Sequence, residues 1–328
     1  MKKLSEIYGA GNPFSCLEMR FHACLPAKTR SRRRTLVDDS VITLPDGRSL
    51  EITQAGDPTG FPVVIHHGTP ASRALHPAWD GDAATKGARL ISFNRAGYGG
   101  STRKPGRSVA DVAADVAALA DALGVERFAT WGLSGGGPHA LATAALLPER
   151  VVSAASLASV APWDAEGLDV TAGMGEDNVQ EFGAAVAGED ALVPFLSEMR
   201  GHMLAADAHS LIELLATLLS DVDVRALDGK LGDLFYRWGQ EGLGKGIEGW
   251  LDDDLAFVQP WGFELERIEV PVLLWQGRED RMVPSAHGEW LAKQIPGVDA
   301  RLHDDEGHLS IATSRMPETL DWLLSHNR

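Results

Sequence analysis

Hydrophobic and polar positions change period several times along this chain. Residues 41–44 and 49–53 alternate as strands do, and Pro45-Asp46-Gly47 between them predicts a hairpin turn. Residues 61–66 form a continuous apolar run, the kind buried on both faces of a parallel sheet, and residues 90–93 form another. Helical spacing fills the intervals. It covers residues 71–86, then 108–123, where Val109, Val112, Val116 and Leu119 with Ala120 share one face. A strand over 125–131 runs into glycines. The apolar helical run from Ala140 to Leu147 stops at Pro148, and a strand follows over 150–157. Strands alternating with helices predict βαβ units and a largely parallel sheet with helices on both faces, an α/β fold.

The alternation stops near residue 162. From there to about 262 the pattern is helical, including an apolar stripe of Leu211, Leu214, Leu215, Leu218 and Leu219 behind a capping Asp207. Strand pattern resumes at 270–275, followed by a helix over 286–294, a short strand over 300–303 and a last helix over 317–325. A helical block of this size inside an α/β domain reads as an inserted cap. The expected organisation is a basic, disordered arm over 1–37, a first core segment over 38–161, the cap over 162–262 and a second core segment over 263–328.

Composition narrows this little. The chain has 328 residues, 44% of them hydrophobic, and a formal net charge of -16. An acidic surface argues against nucleic acid or an anionic membrane as the main partner and mostly speaks to solubility; the partner expected from the candidate chemistry below is a small-molecule substrate. Oligomeric state is not legible. No run of 18 apolar residues predicts a membrane span. Cys16 and Cys24 are too few for a disulfide scaffold, which favours a reduced, cytoplasmic setting. Ser31-Arg32-Arg33-Arg34 resembles a twin-arginine signal, but no apolar stretch follows it.

Candidate chemistry centres on Gly132-Leu133-Ser134-Gly135-Gly136, a G-x-S-x-G match between the 125–131 strand and the following helix. A serine hydroxyl needs a base, the base needs an orienting acid, and the oxyanion needs donors. These parts belong in loops beyond the carboxyl ends of the strands. Asp280 is the acid candidate, with Glu279 its neighbour and rival and Asp164 an outside choice. His308 is the base candidate, competing with His303 and His287. The oxyanion donors expected are the backbone N–H groups of Gly135 and of Thr69 in His66-His67-Gly68-Thr69-Pro70. The two adjacent histidines lack a third ligand at recognisable spacing, so no metal site is expected. Asp252-Asp253-Asp254 reads as a solvated helix start, with greeting a cationic substrate as the alternative.

Five motifs in order resemble the α/β-hydrolase family, in its cap-bearing, serine-nucleophile branch. They are His67-Gly68-Thr69-Pro70, residues 94–101 (NRAGYGGS), the serine elbow, residues 277–284 (GREDRMVP) and Gly307-His308. The resemblance implies Ser134, Asp280 and His308 as a triad, Thr69 and Gly135 as the oxyanion hole, and no metal or other cofactor. Asn94 stands where the family usually has aspartate, a bracing position. Serine as nucleophile counts against the epoxide hydrolases and haloalkane dehalogenases, and the loops depart from those of proline iminopeptidases. The expected reaction is hydrolysis of an ester, thioester or lactone. The alternatives are C–C bond hydrolysis of a vinylogous diketone, or a ligand-binding homologue with little turnover. The expected acyl pocket draws on Trp163, Phe195, Leu196, Met199, Met203, Phe235, Trp238 and Trp250.

Overall fold

A computed structural model describes residues 37–327. The expected basic arm, both cysteines included, falls outside them apart from Val37. Eight strands form one sheet: β1 (Asp38–Thr43), β2 (Ser49–Gly56), β3 (Phe61–His66), β4 (Ala88–Phe93), β5 (Phe128–Leu133), β6 (Val151–Leu157), β7 (Val272–Gly277) and β8 (Asp299–His303). Their order is β1-β2-β4-β3-β5-β6-β7-β8. β2 pairs antiparallel with both its neighbours, β1 and β4, and every pairing from β4 through β3 and β5 to β8 is parallel. Successive strand side chains point to opposite faces. Ile65, Leu90, Trp131 and Leu273 accordingly join one core, while Val64, Ile91, Phe128 and Leu274 join the other. Both faces are covered, which is why the central strands read as unbroken apolar runs.

Helices α1 (Pro77–Lys86), α2 (Val112–Ala122) and α3 (Gly136–Leu146) belong to the first half of the chain. Between β6 and β7 come α4 (Glu176–Ala187), α5 (Glu189–Ala205), α6 (Ala208–Leu214), α7 (Asp221–Ala226), α8 (Lys230–Leu243) and α9 (Glu248–Phe257). Helices α10 (Ser285–Gln294), α11 (Ser310–Ser314) and α12 (Met316–Ser325) close the chain. Among the described residues no helix is long and apolar enough to cross a membrane.

Two expected helices come out shorter. Residues 71–76 are not helical, and α1 starts only at Pro77. A residue before proline is pushed out of the α region; His76 is extended, and its Nδ1 accepts the Ala78 N–H at 3.1 Å as the N-cap. The leucine stripe is buried at Leu211, Leu215, Leu218 and Leu219, but regular helix ends at Leu214. Asp207 caps that helix, accepting from His209 and Ser210 N–H.

The turn from β5 into α3 is tight. Ser134 has φ 55°, a left-handed conformation rare for a residue with a side chain. Its N–H donates to Leu157 O and its carbonyl accepts from Gly137 N–H, each at 2.8 Å. A β-carbon on Gly132 would lie 2.0 Å from Gly136 O, and one on Gly136 would lie 2.2 Å from His66 O. Both contacts are with backbone, which cannot rotate aside.

Gly132→Ala should therefore cost at least about 1–3 kcal/mol, the usual range for overpacking. Gly81→Ala, in an open stretch of α1 where nothing lies within 4 Å of the added carbon, should instead add about 0.5–1 kcal/mol. Urea unfolding midpoints of the two variants should move in opposite directions; a neutral Gly132→Ala would contradict this packing.

Candidate active site

Ser134 sits half-buried between the end of β5 and the start of α3. The loop after β7 carries Asp280, whose carboxylate is held from several sides. Oδ1 accepts from Met282 N–H at 2.9 Å and Val283 N–H at 2.8 Å. Oδ2 accepts from Gln276 Nε2 at 3.2 Å and from His308 Nδ1 at 2.8 Å. His308 itself follows β8. A ring whose Nδ1–H is committed to a carboxylate presents Nε2 as its lone-pair nitrogen, which is the tautomer a general base needs.

The rival candidates lie elsewhere. Glu279 and Asp164 are exposed. His303 packs against Trp275 with ring centroids 5.0 Å apart. His287 is occupied at both nitrogens, by Ala161 N–H at 3.0 Å and Val170 O at 2.9 Å. Burial alone would push the His308 pKa down. The charge and hydrogen bond of Asp280, helped by the charge of Asp223, outweigh it and raise it above the ordinary imidazole value. Burial raises the Asp280 carboxyl, opposed by His308 and by the Val283 N–H.

Thr69 and Gly135 face each other. A β-carbon on Gly135 would come within 2.4 Å of Thr69 Oγ1, and one on Gly68 would sit 3.6 Å from Ser134 Cβ. Among the described residues neither the Thr69 nor the Gly135 backbone N–H has a protein acceptor. His67 is tied down, its Nδ1 at 2.7 Å from Gly68 O and its Nε2 accepting from Arg95 N–H at 3.1 Å. Asn94 braces neighbouring loops, accepting from Arg73 N–H at 2.7 Å and donating to Glu51 at 2.8 Å.

The acidic run in α9 departs from expectation. Asp252, Asp253 and Asp254 are not a solvated helix start: they lie inside the helix and are 3%, 0% and 1% exposed. Asp252 pairs with Arg103 at 2.8 Å. Asp253 pairs with Arg95 at 2.5 Å and Arg107 at 2.6 Å, and accepts from Tyr98 OH at 2.8 Å and Thr69 Oγ1 at 2.6 Å. Arg95 in turn donates to His67 O, to Gly68 O at 3.0 Å and to Thr69 Oγ1 at 3.0 Å. Burial opposes ionisation of Asp253, but the two guanidinium groups hold its carboxyl well below the ordinary range. Sequence spacing carried no signal for this cluster, because its arginines lie 146 to 158 residues away in the chain.

A cavity of about 110 Å³ opens beside Ser134, Thr69 and Gly135. Of the residues expected to make it apolar, Met199, Met203, Phe235 and Trp250 line it. Trp163, Phe195, Leu196 and Trp238 do not. Trp163 stacks on Phe182, and Trp238 donates to Ala74 O at 2.8 Å beside Trp79. Three acids also line the cavity: Asp177, which accepts from Thr217 Oγ1, and the pair Glu181 and Asp254. Glu181 accepts from Trp250 Nε1 at 2.7 Å. Burial raises both carboxyls, Asp254 strongly, with Glu181 adding to the effect on it. Among the described residues neither has an ion-pair partner, and Asp254 Oδ2 is buried without a hydrogen bond from any ordinary donor.

Comparison with known proteins follows the same lines. A family model described as alpha/beta hydrolase fold matches residues 62–314. A non-heme chloroperoxidase of Streptomyces lividans is 28% identical over 286 residues, 85% of this chain and 96% of that protein. A proline iminopeptidase of Xylella fastidiosa is 34% identical over 125 residues, 35% of this chain and 38% of that protein. Among solved structures, a thermophilic esterase from Thermogutta terrifontis aligns with TM-score 0.65 at 22% identity, over 89% of this chain and 100% of that one. The enol-lactonase of Burkholderia xenovorans aligns with TM-score 0.59 at 19% identity, over 87% and 100%. Identities this low speak for the fold alone.

Asp253→Asn should lower stability by about 3–5 kcal/mol at neutral pH, because it leaves buried guanidinium groups short of their counter-charge. The folded carboxyl titrates below the unfolded one. Its stabilisation is therefore full above the unfolded pKa of about 3.9 and fades as the pH falls toward the folded value. Denaturant titrations at several pH values should show the gap to wild type narrowing only under acid conditions. No gap at pH 7 would remove Asp253 from its central place.

Proposed function

The chain belongs to the α/β-hydrolase fold family, and on that premise we propose that it hydrolyses a carboxylic ester, thioester or lactone of a small apolar acid through an acyl-serine intermediate. One observation carries this reading: the 2.8 Å contact of His308 Nδ1 with Asp280, in a molecule whose Ser134 is held on a left-handed elbow beside two unengaged backbone N–H groups. His308 Nε2 takes the proton of Ser134 Oγ as it attacks the carbonyl carbon. Asp280 holds the ring in the required tautomer and stabilises the imidazolium. The N–H groups of Thr69 and Gly135 receive the oxyanion. Collapse expels the alcohol, which takes the proton from His308; water then attacks the acyl-serine by the same steps in reverse. General-base help contributes typically about 10²–10⁴-fold, and an oxyanion donor about 10²–10³-fold. The helices between β6 and β7 act as the cap, and their Met199, Met203 and Phe235 receive the acyl chain.

The acid pair favours a second, narrower reading. Burial, and for Asp254 the charge of Glu181, raise both carboxyls, which favours a shared proton on this pair over two carboxylates. A protonated amine on the acyl part would take that proton's place. The substrate would then be an amino-acyl ester or amide, in keeping with the name of the iminopeptidase relative.

Ser134→Ala should reduce turnover of p-nitrophenyl esters to the residual level, about 10³–10⁴-fold over water, that donors and binding alone supply. Asp280→Asn should be severely impaired and Glu279→Gln nearly normal. Full activity in folded Ser134→Ala, or a defect confined to Glu279→Gln, would refute the assignment. For the second reading, alanine p-nitrophenyl ester should be cleaved with a higher kcat/KM than the propionate ester, and Glu181→Gln should erase the preference. Equal values for the two esters in the wild type would dismiss it.

A further inference from the structure

His308 stands in a loop that is held from across the molecule. Asp223, in α7, is completely buried, and its carboxylate accepts three consecutive backbone N–H groups of that loop. Oδ2 takes His308 N–H at 3.0 Å; Oδ1 takes Leu309 N–H at 2.7 Å and Ser310 N–H at 3.0 Å. Ser220 Oγ donates to Oδ2 at 2.9 Å and steadies the carboxylate from its own side. The approach is so close that a β-carbon on Gly307 would lie 2.4 Å from Asp223 Oδ2. Glycine at 307 is thus required by the carboxylate. The rest of the loop is cross-braced: Gly307 N–H donates to Ser310 Oγ at 2.9 Å, and Ser310 Oγ donates to Glu306 at 2.6 Å.

A carboxylate buried without a cation is costly unless hydrogen bonds replace its hydration. Bonds from N–H to a charged acceptor are about twice as strong as neutral ones. Among the described residues Asp223 has no ion-pair partner, so the base loop and Ser220 supply its solvation. The dependence runs both ways, since among the described residues the N–H groups of His308, Leu309 and Ser310 have no other acceptor. We propose that Asp223 is a positioning residue for the reaction: a carboxylate of the helical block that sets the location of the general base His308 and adds to the negative charge facing it. This rests on the serine-hydrolase reading above. The charged groups facing His308 are Asp280 and Asp223, whereas Glu306 in the same loop is turned to Ser310, Ser314 and Arg315.

The test uses the full chain with Asp223→Asn and Asp223→Glu, read by ester hydrolysis across pH and by the rate of fluorophosphonate labelling of Ser134. Asp223→Asn keeps the shape, loses the charge and turns an N–H₂ toward backbone donors. It should lower kcat about 10–100-fold, the scale of a small misplacement of a reacting group, with KM nearly unchanged and labelling slowed in proportion. The acid limb of kcat/KM should move to lower pH, because a negative charge that favours the imidazolium is gone. Asp223→Glu should restore the acid limb while recovering only part of kcat. A purely structural contact would leave the acid limb in place, so an unmoved limb in folded Asp223→Asn overturns the proposal, as does a loss confined to KM. Should Asp223→Asn not fold, Ser220→Ala takes its place: a several-fold fall in kcat at constant KM supports the role, and full kcat overturns it. Wild-type protein that fails to label at Ser134 would instead count against the hydrolase reading itself.

Discussion

The rest of the site depends on a backbone constraint at Ser134. Its left-handed conformation costs on the order of 1–3 kcal/mol and survives only because the surroundings allow nothing else. Gly132 and Gly136 let strand β5 and helix α3 meet at a distance no β-carbon would tolerate. The hydrogen bond from Ser134 N–H to Leu157 O anchors the turn to the neighbouring strand β6. Once the elbow is set, the loop after β3 must pass close beside it, and the small residues Gly68 and Thr69 occupy that passage. The position of the hydroxyl is therefore a consequence of sheet packing and is not chosen by the loop alone.

A second layer of control is electrostatic and comes from α9. Asp253 lies where its carboxylate reaches Arg95, Arg107, Tyr98 and Thr69 together. Buried charges of this kind add little stability over a well-packed apolar core, but removing one partner leaves the others exposed to a dry medium. What the cluster adds is geometry. Arg95 holds the carbonyls of His67 and Gly68, and Asp253 fixes the side chain of Thr69, so the loop bearing the Thr69 N–H is pinned on both sides. The same helix carries Asp254 into the cavity, two roles one residue apart, each on its own side of the helix.

The sheet, the serine elbow and the loops of Asp280 and His308 were legible because each depends on neighbours in sequence. A run of apolar residues predicts a buried strand, and Gly-x-Ser-x-Gly predicts its turn. Asp280 could be separated from Glu279 only by resemblance to a family motif; in the fold the two point apart, one buried toward His308 and one exposed. The acidic run 252–254 was misleading for a physical reason. Three consecutive carboxylates look solvated unless their surroundings are known: the counter-charges of Asp252 and Asp253 sit in the loop after β4, on Arg95, Arg103 and Arg107, and Asp254 lies against Glu181 in the cavity. Asp223 was invisible for a similar reason: its partners are backbone N–H groups, which no composition or period can reveal.

Asp223 and Asp253 share an arrangement that bears on how the helical block works. Each is a buried carboxylate projecting from that block onto a loop at the carboxyl end of the sheet. One accepts from the base loop, the other from the loop that carries Thr69. A block that swung clear as a rigid lid would have to take both carboxylates out of their donor sets, leaving Arg95 and Arg107 without their counter-charge and three loop N–H groups unpaired until water reached them. Unpaired buried polar groups cost about 1–3 kcal/mol each, and charged ones more. That penalty weighs against wholesale opening and in favour of local movement around the cavity, where Met199, Met203 and Phe235 have side chains able to repack at small cost. The block that surrounds the cavity is thus also part of the frame that holds the loops of His308 and Thr69, so the lining of the cavity and the geometry of those loops rest on shared residues.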